Sequence, residues 1–261
     1  MAHGLGTAAS RPPSAEKDPL PRGGGPGGDE ARRAIVEVAI ASAVVTGAVT
    51  LASAFAPERY VATIVGVIFL GATWHLVWRK DDATVVRSGL ALAGLVLPGR
   101  SRPKAIARAA LEAIGWAFLL AAIFFVPFWF GWRWWWGARH AFAFHPSAVD
   151  CVNDAFGQVI VIALPEEAFY RGYLQSRLDW AFRPRWRIGG AEIGPGLLVA
   201  SAIFALGHLA TVPAPVRLAV FFPSLVFGWL RARTRGIGAG VMFHAMCNLF
   251  SQALGQGYGL Y

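Results

Sequence analysis

The sequence predicts an all-α fold, a polytopic transmembrane helical bundle of about seven spans with one further interfacial or re-entrant segment. Three observations carry this reading. Of 261 residues, 56 % are hydrophobic and only 15 % are charged, against roughly 25 % charged in a soluble domain. The apolar residues run in stretches long enough to cross a bilayer, which takes about 20 residues of helix. The net charge of +9 comes from basic residues clustered between those stretches, as in the loops on one side of a membrane. Nucleic-acid binding does not fit this distribution, because no basic face is spread over a polar domain.

Taken in order, residues 1–33 form a polar tail rich in Pro, Gly and mixed charge. Nothing in it can build a core, so it is expected to be disordered. It is too long and too acidic for the charged start of a cleaved signal peptide, which makes the first span an uncleaved anchor. Membrane-domain spans are expected at 34–56, 60–78, 107–131, 155–176, 196–212, 216–231 and 237–256. The fifth and sixth are short and imply tilt or a locally thin bilayer. The stretch 84–98 is shorter still and carries Arg87, so it is expected to lie at the interface or re-enter.

The charges test the count. Arg32 and Arg33 precede the first span. Arg79, Lys80, Arg100, Arg102, Lys104 and Arg108 lie between the second and third. Arg177, Arg183, Arg185 and Arg187 follow the fourth, and Arg231, Arg233 and Arg235 follow the sixth. Seven crossings put all four clusters on one side, expected to be cytoplasmic together with the N-terminus. Trp132, Trp134, Trp135 and Trp136 suit an aromatic belt at the opposite end of the third span. Cys151 and Cys247 have no CxxC neighbours and suggest neither a disulfide framework nor a zinc knuckle.

Three of the apolar stretches carry polar side chains at depth. The fourth holds Glu166, Glu167, Tyr170 and Arg171; the fifth holds His208 after Phe204; the seventh holds His244 and Asn248. An ionisable group inside a membrane is costly and marks a functional site by default. Glu167 and Arg171 are four residues apart and can pair on one helical face, as can Glu166 with Tyr170 and His244 with Asn248. Pro165 cannot donate to the carbonyl of Val161 and is expected to kink the helix beside the glutamates.

A poorly solvated carboxylate can act as a general base near neutral pH. A nearby histidine can share the activated water, and a second histidine with an asparagine amide can stabilise an oxyanion. Those are the parts of peptide-bond hydrolysis. Alternatively Glu166, His208 and His244 could ligate zinc with a water in the fourth position. Each residue also has a structural reading: Glu167 with Arg171 as a self-neutralising buried pair, His208 as a satisfied core histidine, Asn248 as helix–helix glue. Their joint occurrence on separate spans argues against the structural readings.

The same residues resemble a known family. EEAFYR, from Glu166 to Arg171, is similar to the EExxxR motif of the CAAX-protease and bacteriocin-processing family of intramembrane proteases. FALGH, from Phe204 to His208, resembles its FxxxH motif, and HAMCN, from His244 to Asn248, its HxxxN motif. The resemblance covers about residues 150–256 within an integral membrane protease domain at 34–261. It implies that Glu166 activates water with His208, that His244 and Asn248 form the oxyanion site, and that Glu167 and Arg171 support the geometry. It implies no cofactor in the metal-free mechanism, with zinc as the alternative. The implied location is a bacterial inner membrane, and the implied partners are the lipid bilayer and a membrane-tethered protein or peptide. The arginine-rich stretch after the fourth span also resembles a subgroup, myxosortase-like, that processes C-terminal sorting signals. Two readings from other classes stand beside the endopeptidase: a non-catalytic scaffold or immunity protein of the same fold, and an ion- or proton-coupled transporter, for which no inverted repeat is visible.

Overall fold

The computed structural model describes residues 26–97 and 102–260. The tail reading for residues 1–25 and the basic residue Arg100 lie outside the described residues. The chain folds as α1 (Gly28–Phe55), α2 (Glu58–Trp78), the short α3 (Asp82–Arg87), α4 (Pro103–Trp136), α5 (Ala148–Phe182), a hairpin of β1 (Trp186–Ile188) and β2 (Ala191–Ile193), α6 (Pro195–Thr211), α7 (Pro215–Thr234) and α8 (Gly238–Gly257). Five helices, α1, α2, α4, α5 and α7, are long and apolar enough to cross a membrane, and α6 is a shorter apolar helix. Of the seven expected spans, five fall on these long helices; 196–212 falls on the shorter α6 and 237–256 on α8, which is not among the five. The helix α1 starts at Gly28, inside the stretch expected to be tail. Asp29 and Glu30 in its first turn complement the helix dipole there.

The segment expected to be interfacial or re-entrant does not cross the fold. After α3 it turns through Gly89 and buries Val85, Leu90 and Leu97 against the bundle. Asp81 caps α3, accepting from the Thr84 amide at 2.9 Å. The Gly89 carbonyl accepts from the Ile237 amide at 3.2 Å, and Arg231 donates to the Arg87 carbonyl at 2.6 Å. Arg177 pairs with Glu37 at 2.8 Å, and Arg233 lies over the Trp116 ring. These contacts gather the arginine clusters at one end of the molecule. The Trp129–Tyr258 hydrogen bond and the Ala143–Gly257 backbone bond lie at the other.

Two features depart from expectation. The hairpin interrupts the arginine-rich loop after α5: Trp186 pairs with Ile193 and Ile188 with Ala191. Its turn is Gly189–Gly190, both at positive φ (56° and 79°), the backbone a two-residue hairpin turn demands. Among the expected belt tryptophans, Trp134, Trp135 and Trp136 are exposed, but Trp132 is buried with Ala138, Leu254 and Tyr258. At the end of α4, position 132 therefore faces the neighbouring C-terminal residues rather than the surroundings.

The helix α5 lies at the centre of the largest core. Val38, Val45 and Val49 of α1, Phe69 of α2, Leu90, Phe204 of α6, and Val241 and Ala245 of α8 all join the cluster containing Ala163, Phe169, Tyr170 and Leu174. Around Pro165, where a kink is expected, two π-helical stretches, Gly157–Ala163 and Ala168–Gln175, flank Leu164–Glu167. Such wide turns recur at functional sites because each shifts the helix face that follows.

Candidate active site

All six residues singled out by the motifs sit on α5, α6 and α8, but their environments differ. Glu167 is fully buried. Its Oε1 accepts from His244 Nδ1 at 3.0 Å, and its Oε2 lies 3.4 Å from Arg171 Nε. Arg171, 1 % exposed, also donates to Ser224 Oγ of α7 at 3.2 Å. Its guanidinium lies 4.6 Å from the Phe204 ring centre and 5.4 Å from that of Phe227. A cation taken out of water keeps its charge when paired and stacked in this way. The close approach of α8 is allowed by Gly240, where a Cβ would stand 2.9 Å from Glu167 Oε2.

His244 is buried, stacked on Phe227 with ring centres 4.6 Å apart and planes 13° apart. Because the Glu167 carboxylate can only accept, His244 Nδ1 carries the hydrogen and Nε2 is the atom turned to Glu166, at 3.8 Å from Glu166 Oε2. Glu166 is the more exposed acid, 13 % at its side chain, and it borders a cavity of about 310 Å³ between α2 and α5. Its Oε2 is enclosed without a hydrogen-bond partner among the described residues, as are Arg171 Nε and Nη1 and Glu167 Oε2.

His208 is half-buried. Its Nδ1 donates to the Phe204 carbonyl at 3.0 Å, which leaves the Nε2 lone pair free to accept a proton or ligate. Its ring packs on Phe204 at 4.4 Å, and Phe204 in turn meets His244 edge-on at 6.0 Å. Among the described residues no hydrogen bond or ion pair joins His208 to Glu166, whereas His244 Nε2 lies 3.8 Å from it.

Asn248 donates from Nδ2 to Gln158 Oε1 at 2.9 Å. One turn further along, Gln252 Nε2 donates to Asp154 Oδ2 at 2.8 Å. Gln158 and Asp154 were not singled out from the sequence. The signal was present: Asp154 and Gln158 on α5, and Asn248 and Gln252 on α8, are each four residues apart, so two polar ladders were available to face each other. Cys247 is half-buried against the Phe243 cluster, and Cys151 is exposed.

Among the described residues no group of three His, Cys, Asp or Glu side chains is arranged to hold a metal ion.

Buried acid, imidazole and guanidinium groups therefore meet within a bundle in which five helices are long and apolar enough to cross a membrane. Residues 149–250 match the family described as type II CAAX prenyl endopeptidase Rce1-like. The match includes all three motifs, so the likeness to that family lies in the motif-bearing stretch of the chain. Comparisons with curated proteins and with solved structures gave no match.

Proposed function

We propose that the protein is an intramembrane endopeptidase that hydrolyses a peptide bond near the C-terminus of a membrane-anchored protein, using water activated by Glu166. The observation that supports this most is the contrast on one helix turn between a Glu167 locked by Arg171 and His244 and a Glu166 that faces a cavity with an unpartnered oxygen. A water beside Glu166 passes a proton to that carboxylate as its oxygen attacks the carbonyl carbon, and His208 Nε2 is a second acceptor for the proton. The oxyanion is met by donors from α8, where Asn248 keeps one amide hydrogen beyond the one used on Gln158. The C–N bond then breaks, and Glu166 returns the proton to the leaving nitrogen. Placing the cut near a C-terminus draws on the arginine-rich stretch after α5 and its likeness to sorting-signal processing.

The test compares membrane proteomes of a deletion strain complemented with the wild-type chain or with Glu166→Gln. Proteins retaining an uncut C-terminal tail are expected in the deletion and in Glu166→Gln, and not with wild type. Identical termini in all three strains would overturn the reading.

A further inference from the structure

The cavity beside Glu166 has a direction. Its α2 wall is Glu58, Val61, Ala62, Val65, Gly66 and Phe69, one continuous face of that helix; its α5 wall is Val161, Ile162 and Glu166. From Glu58 to Phe69 this face covers ~16 Å at ~1.5 Å per residue. It starts at the end of α2 remote from Arg79 and Lys80. The helices close at Gly66, where a Cβ would lie 2.7 Å from the Val161 carbonyl oxygen. The groove is therefore open toward the end of the molecule opposite the arginine clusters.

Its chemistry selects an occupant. Aliphatic walls offer no donors to a sugar or a phosphate. The carboxylates of Glu58 and Glu166 in its lining repel an anion. A helix ~10 Å across cannot settle between helices that touch at Gly66, where a Cβ would already lie 2.7 Å from the Val161 carbonyl oxygen. An extended chain covers ~16 Å in about five residues.

Resting on the proteolytic reading, we propose that this groove binds an unwound, apolar segment of the substrate polypeptide, which descends along α2 from the end opposite the arginine clusters and brings its backbone to Glu166.

Photo-crosslinking and kinetics test it on the full chain in phosphatidylethanolamine–phosphatidylglycerol vesicles. The probe is a synthetic Leu/Ala peptide of ~20 residues with a Gly–Pro break toward its N-terminal end and an arginine tail. In the Glu166→Gln protein, benzoylphenylalanine replacing Ala62 is expected to crosslink residues beside the break. The same probe replacing Val67, 62 % exposed on another face of α2, is expected to crosslink at background level. In the Glu166 protein, Ala62→Trp is expected to raise KM at least tenfold, with Val67→Trp unchanged; Ala62→Leu replaces it if the tryptophan variant does not fold. Crosslinking at Ala62 without any cleavage by wild type would keep the groove and overturn the protease. Cleavage indifferent to Ala62→Trp, with Ala62 crosslinking no stronger than Val67, would overturn the groove and keep the protease. Equal crosslinking of a peptide with the arginine tail moved to the other end would overturn the direction.

Discussion

Glu166 and Glu167 are chain neighbours, yet they occupy opposite kinds of site. Glu167 meets Arg171 and His244, and Arg171 in turn meets Ser224 and two aromatic rings on the α6–α7 side of the bundle. Glu166 looks across to α2, with one imidazole at 3.8 Å and a cavity beside it. One acid is held between two basic side chains, and the other borders a cavity. A single helix can do both because consecutive residues point about 100° apart, and the π turns on either side adjust the two faces independently.

The contrast can be broken from the Glu166 side first, where the largest effect lies. Glu166→Gln is expected to lower the cleavage rate of a membrane-tethered peptide by roughly a thousandfold, while the thermal midpoint in detergent stays where it was. Removing Glu167 should do the reverse to stability. Glu167→Leu leaves Arg171 buried and unpaired, and about 3–5 kcal/mol of stability should be lost. Adding Arg171→Met should restore much of it, as read by the melt, without restoring cleavage. A melt unchanged in the single variant would show that the pair is not what holds the two faces apart.

The α2 side answers to a smaller change. Gly66→Ala forces a methyl against the Val161 carbonyl and is expected to cost about 1–3 kcal/mol through overpacking. On the α8 side, Gln158→Leu removes the acceptor that holds the Asn248 amide. A kcat about tenfold lower, equivalent to about 1.4 kcal/mol in the barrier, is expected with KM unchanged. Gln158→Glu, which keeps the acceptor, should stay near wild type. Smallest of all, chelation followed by dialysis should leave cleavage as it was, and loss restored by zinc would reverse the metal-free assignment.

Much of this was legible in the chain. Runs of apolar residues punctuated by arginine clusters define the long helices, because a helix satisfies its own backbone wherever water is absent. The four-residue spacings foretold that Glu167 would meet Arg171 and that His244 and Asn248 would share a face. The hairpin at Gly189–Gly190 was also legible, with arginines alternating with Trp186 and Ile188 around a paired glycine, but helix-rich surroundings concealed it. Trp132 was not legible, since only the packing of Leu254 and Tyr258 against α4 turns it inward.

By itself, the sequence determined that there would be a bundle of apolar helices and which polar groups lie within it, since hydropathy and periodicity are local properties. The tertiary structure alone decided which glutamate is tied down, that His244 faces Glu166 with Nε2, that Gln158 holds Asn248, and that a groove opens along α2. Those depend on the distance and rotation between helices far apart in the chain, set by close approaches such as Gly66 on Val161 and Gly240 on Glu167.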